Sequence, residues 1–144
     1  MEGSVPFNLK MKRSAKLFAA APTYAHDPVE HVPMDYEDAS KALSKDDLAG
    51  AKRAATKLAT DAKKANHTAI AEHAQAIAKS PPLEGARTHF MAGSRDAEKL
   101  AQGRQGYYVL TCLMEKADWV QTTKGVANPY LGQQMPTCGQ IKQP

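Results

Sequence analysis

Chemistry in this chain concentrates in its last third. Cys112-Leu113-Met114 and Met135-Pro136-Thr137-Cys138 each place a thiol close to a thioether, and the only tryptophan, Trp119, lies between them. Both cysteines of the chain fall in these two runs. Thiolate and thioether sulfurs are soft donors that select Cu(I), and by the same softness Ag(I), over Mg²⁺ or Ca²⁺, which want oxygen ligands. In an extended segment Cys112 and Met114, two residues apart, point to the same side. Met135 and Cys138, three apart around Pro136, approach from a turn or a helical start. Together they make a candidate metal set of up to two thiolates and two thioethers. Trp119 can lie against the ion through a cation–π contact worth about 0.5–2 kcal/mol and shield it from water.

The same residues admit plainer roles. A Cys112–Cys138 disulfide closes a loop of about 27 residues and stabilises by roughly 3.5 kcal/mol of chain entropy. Methionine is a common filler of irregular cores, and a lone tryptophan is often an anchor. Oxidised thiols cannot ligate a metal, so bridge and metal site exclude one another in time. Elsewhere the donors are scattered. His26, His31 and Met34 sit near one another as a possible secondary site, while His67, His73 and His89 fall on helices or their ends without the paired spacing of a zinc helix. There is no Gly-x-Ser-x-Gly, no phosphate-binding glycine loop and no carboxylate pair in an apolar setting, so an enzyme is not expected.

The elements that must position these sulfurs are mostly helical. Residues 1–35 contain Pro6, Pro22, Pro28 and Pro33 and no sustained period, which reads as a leader and extended arm, with the domain proper spanning residues 36–144. Within the arm, Lys12, Arg13 and Lys16 precede Leu17-Phe18-Ala19-Ala20-Ala21 and a small-residue exit at Ala25, the order of a secretory signal, which leads to a periplasmic or exported location. Helical signal begins at Tyr36. Ser44-Lys45-Asp46-Asp47 offers a side-chain cap, after which Leu48, Ala51, Ala55, Leu58 and Ala62 line one face. A further helix starts near Thr68, with Ile70, Ala74 and Ile77 inward, and ends at Ser80-Pro81-Pro82. Another runs from about Leu83 to Gln102 with Ala86, Phe90, Gly93, Ala97 and Leu100 inward, and Gly103 and Gly106 stop it. Beyond lie two β-prone stretches, 107–111 and 119–123. The fold class is mainly α: an antiparallel helical bundle with an irregular C-terminal cap containing short extended segments.

Charge narrows the partners. The formal net charge is +4, but residues 1–25 hold four of the nineteen Lys and Arg against one of the fifteen Asp and Glu. The rest is close to neutral, so nucleic acid is not an expected partner. No stretch approaches the ~20 apolar residues of a membrane-spanning helix.

Taken in order, Tyr108-Val109, Cys112-Leu113-Met114, Trp119, Asn128-Pro129-Tyr130-Leu131-Gly132, Met135 and Cys138-Gly139 resemble the tail of the DUF3347 family, in which a tyrosine or valine strand precedes Cys-Pro-Met, Trp, Asn-Pro-Tyr-x-Gly, Met and Cys-Gly. Upstream, Arg87-Thr88-His89-Phe90 followed by Ser94 is similar to the family's Arg-x-x-Phe helix, and Tyr36 with Leu43 to its opening helix, so the likeness extends over about residues 35–142. Leu113 departs from it by replacing the proline of Cys-Pro-Met. The family occurs alone in exported bacterial proteins and at the C-terminus of some CusB-like efflux adaptors. The resemblance therefore implies a helical bundle linked to copper or silver handling, with Asn128 and Tyr130 setting the loop and an efflux-pump adaptor or other envelope metal-handling protein as partner. The expectation is a protein that buffers or delivers Cu(I) or Ag(I). The alternative is a disulfide-stapled helical interaction module of an envelope complex without metal function.

Overall fold

Four helices and a small sheet account for the regular structure in the computed structural model, which describes residues 28–80 and 82–143. The leader-like segment and His26 lie outside the described residues.

Helix α1 spans Pro28–Ser44 and so begins two turns before the expected start at Tyr36. Pro28 suits a first helical position, where its missing N–H has no helical acceptor to lose. Pro33 removes one rung further in. What holds the helix through both prolines is burial, since Val32, Tyr36, Ala39 and Leu43 line one face and are at most 3% exposed. Residues 28–35 thus belong to the bundle and not to an extended arm.

Helix α2 spans Leu48–Lys64, with Ala51, Ala55, Leu58, Ala59 and Ala62 buried as the periodicity requires. Its cap is Asp47, whose carboxylate accepts from the Gly50 N–H at 2.8 Å. The Ser44 hydroxyl turns back instead to donate to the Lys41 carbonyl at 2.7 Å. Helix α3 spans Thr68–Lys79 and buries Ile70, Ala71, Ala74 and Ile77, and helix α4, Leu83–Ala101, buries Ala86, Phe90, Gly93 and Ala97 among others. The first two helix ends close alike. The Asp47 N–H donates to the Ala42 carbonyl and the His67 N–H to the Ala62 carbonyl, with Asp46 (φ 58°) and Asn66 (φ 61°) in the left-handed region. These are Schellman turns with Asp or Asn where glycine is more usual, a substitution their short polar side chains tolerate. Short connections make successive helices antiparallel neighbours.

The cap contains the short extended segments that the sequence leads one to expect, and they pair with one another. Strands β1 (Tyr108–Cys112), β2 (Ala117–Gln121) and β3 (Gln140–Gln143) form an antiparallel sheet of order β2-β1-β3. Leu110 faces Trp119, Cys112 faces Ala117, and Thr111 pairs with Gln140 on the other side. Strand β2 packs on α1 and α4.

Cap and bundle share one core. Tyr36 of α1 stacks on Phe90 of α4 at 4.4 Å between centroids, Phe90 tilts against Tyr130 at 5.9 Å, and Tyr130 meets Trp119 edge-on at 6.1 Å. Aromatic pairs in such geometries contribute about 0.5–1.5 kcal/mol beyond the area they bury. Polar ties run parallel to this column. Glu37 of α1, 4% exposed, accepts from both the N–H and the hydroxyl of Thr122 at 2.8 Å, and the Gln133 amide donates to the Ser44 carbonyl at 2.9 Å.

Candidate functional site

The two cysteines meet because of strand pairing. Cys112 ends the central strand β1, and Cys138 comes two residues before β3, whose Gln140 pairs with Thr111. Their Sγ atoms lie 4.0 Å apart, both as free thiols. Cys112 is fully buried and Cys138 partly exposed. Burial first, then the adjacent Cys112 sulfur, hold the Cys138 thiol above its ordinary value. Because only the thiolate attacks a disulfide or binds a metal, this thiol reacts slowly at neutral pH and faster as pH rises.

The segment carrying Cys138 is organised by Asn128, which is fully buried. Its side-chain oxygen accepts from the N–H groups of Tyr130 (2.8 Å) and Leu131 (3.0 Å), and its amide nitrogen donates to the Cys138 carbonyl at 2.6 Å. Its own backbone N–H donates to the Pro136 carbonyl at 2.9 Å. One side chain thus closes residues 128–138 into a loop. Tyr130, buried so that its hydroxyl is held in the protonated form well above the usual phenol range, donates to the Asp118 carbonyl of β2.

Arg87 fixes this loop to the bundle. It is buried, its Nε donates to the Pro129 carbonyl at 2.8 Å, and one terminal nitrogen donates to the Leu43 carbonyl (2.9 Å) and to the Asp46 carboxylate (2.5 Å). Gly132 passes directly over that pair. Its φ is +54°, and a Cβ there would collide with the side chains of Asp46 and Arg87. Sequence reasoning singled out Arg87 only through the resemblance and missed Asp46 as its partner, because the two stand 41 positions apart.

The two methionines are not core filler. Met114, in the β1–β2 turn, is 62% exposed, and Met135, after the short 3₁₀ turn Gly132–Gln134, is 42% exposed. Met135 is tied to Cys138 by a turn in which the Cys138 N–H donates to the Met135 carbonyl at 3.1 Å. Each thioether therefore belongs to a surface turn no more than three residues from a thiol. Trp119, by contrast, is fully buried, with its indole N–H donated to Gln121 Oε1 at 2.9 Å. Cross-strand partners share a face, so Trp119 and Cys112 lie on the same side of the sheet as diagonal neighbours, a separation of about 7–8 Å between Cα atoms. The indole also backs Gly139, where a Cβ would come within 2.6 Å of Trp119 Cη2.

Among the other donors, Met34 is 55% exposed on α1, and His73 and His89 line a small cavity of about 10 Å³ among the four helices. Among the described residues no group of three or more His, Cys, Asp or Glu side chains is placed to hold a metal ion. If a soft ion were bound, Cys112 and Cys138 are the residues that would hold it, supplying thiolate donors.

No curated protein and no solved structure matches the chain. A family described as "protein of unknown function (DUF3347)" does, over residues 32–106. The matched stretch begins at buried Val32 of α1 and ends at Gly106, just before β1, so it covers the four helices and includes Tyr36, Arg87 and Phe90, while the Cys and Met segments follow it. By these helices the chain belongs to the DUF3347 family.

Proposed function

We propose that the protein binds Cu(I), or Ag(I), through Cys112 and Cys138, with Met114 or Met135 completing the coordination, and that it buffers or delivers the ion in a metal-resistance or efflux pathway outside the cytoplasm. The observation that carries this reading is the approach of two thiols to 4.0 Å, each with a surface-exposed methionine two or three residues away in sequence. Soft sulfur at this spacing suits a low-coordinate monovalent ion. Trp119 closes one side of the site, and Asn128 and Arg87 hold the Cys138 loop against the helical platform. The ion is cargo, and no step of catalysis is assigned to any residue. An efflux adaptor or another envelope metal-handling protein is the partner consistent with such a role.

Anaerobic titration of the reduced protein with Cu(I) against a chromophoric chelator tests the proposal. The expected result is uptake of one ion with quenching of Trp119 emission, abolished when both cysteines are replaced by serine. Undiminished affinity in the double variant would sink the metal assignment.

A second reading draws on the same distance. Modest rotation of the two side chains brings sulfurs at 4.0 Å into bonding range, and a permanent Cys112–Cys138 bridge would make the cap a stapled interaction module. Its signature is a bond that mild reductant opens only with loss of the fold.

A further inference from the structure

The two thiols are unequal in ways that matter for exchange. Cys112 is sealed from solvent and sits at the end of the central strand, hydrogen-bonded to β2. Cys138 is partly exposed and lies in the non-regular pair of residues between a turn and β3, next to Gly139 at φ +149°, a backbone setting that favours glycine. An incoming reagent therefore meets Cys138 first, while Cys112 waits 4.0 Å behind it.

We infer that Cys138 and Cys112 form a working dithiol that exchanges with disulfides, Cys138 as the entry thiol and Cys112 as the resolving thiol. The Cys138 thiolate attacks one sulfur of a partner disulfide R–S–S–R′. A Cys138–S–S–R bond forms, and R′–S⁻ leaves and takes up the proton that Cys138 gave. The Cys112 thiolate then attacks the Cys138 sulfur, forming the Cys112–Cys138 bond, and R–S⁻ leaves with the second proton. The protein loses two electrons and two protons, and the partner's disulfide becomes two thiols. The partner class is thus a disulfide-bearing protein or small molecule. What the fold supplies is the second step, in which the resolving sulfur is already beside the mixed disulfide. This activity does not rest on the metal reading, although an oxidised pair would release any ion that its thiolates held.

The test treats the reduced full chain with oxidised glutathione and follows it by mass spectrometry, acid-quenching early time points for peptide mapping. The wild-type protein is expected to lose two hydrogens without retaining an adduct, and its earliest mixed disulfide should map to Cys138. Cys112→Ala should accumulate one stable glutathione adduct. Cys138→Ala should react about tenfold or more slowly than Cys112→Ala, since its buried thiol is reached only through local opening. Equal rates for the two variants, a lasting adduct on the wild type, first labelling at Cys112, or no reaction at all would each overturn the inference. Early mapping on the wild type decides the matter even where a variant fails to fold. Cu(I) uptake, measured separately, stays informative whichever way exchange turns out.

Discussion

Asn128 spends its side chain and its backbone N–H on one loop, and nothing of similar size can replace it. Asn128→Ala leaves the N–H groups of Tyr130 and Leu131 and the Cys138 carbonyl without their partner. A loss of about 2–3 kcal/mol in urea unfolding is expected, given about 1–3 kcal/mol for a buried unsatisfied group. Arg87 is equally specific, because a lysine keeps the charge but cannot reach Pro129, Leu43 and Asp46 together. Arg87→Lys should cost about 2 kcal/mol or more in the same assay. Asp118 supplies a pH dependence. Burial works to raise its carboxyl, but the Lys142 ammonium at 2.7 Å and the Thr111 hydroxyl outweigh that and leave it below its ordinary value of 3.8. Because the folded value is depressed, the stabilisation is present above pH 3.8 and is lost as pH falls through the folded value. Asp118→Asn should therefore lose less stability than the wild type on acidification through that window, as read by denaturant midpoints.

At the scale of elements, the cap of α2 separates two residues that look interchangeable in sequence. Asp47→Ala should destabilise by about 1 kcal/mol, whereas Ser44→Ala, whose hydroxyl bonds within its own helix, should change thermal stability by well under half of that. The alanine and leucine stripes of α2, α3 and α4 are legible because burial on one face imposes a 3.6-residue period, and all three helices run close to where that period placed them. The start of α1 was hidden because Pro28 and Pro33 read as breakers, while the burial of Val32 that overrides them is tertiary. Strand β3 was hidden because Gln140-Ile141-Lys142-Gln143 is short and polar, and it exists only because β1 offers an edge. The thiol pair depends on that pairing. The pairing of Cys112 with Cys138 and an anchoring place for Trp119 were legible in the sequence, whereas the strand register that sets the 4.0 Å approach was not.

For the whole molecule, the column from Tyr36 through Phe90 and Tyr130 to Trp119 makes bundle and cap a single cooperative body. Phe90→Ala should cost about 3–5 kcal/mol. It should also split the unfolding transition, with Trp119 fluorescence changing before helical circular dichroism because the cap loses its footing first. Coincident transitions would show that the polar ties of Glu37, Arg87 and Gln133 suffice to hold the cap. The sheet of this cap has two very different flanks. β2 is covered by α1 and α4, but β3 pairs only with β1 among the described strands, at the end of the sheet, and its Ile141 is 41% exposed. An open strand edge is a template on which another chain can add, and natural proteins guard such edges with charge, lysine above all. Lys142 stands on this strand, ion-paired to Asp118 at 2.7 Å and to Glu98 at 3.6 Å. Both carboxylates belong to other elements, β2 and α4, so the one charge of this strand also clamps it to the domain. Lys142→Val removes both ion pairs and the only charge on the strand, and should bring concentration-dependent self-association beyond that of the wild type, visible by sedimentation.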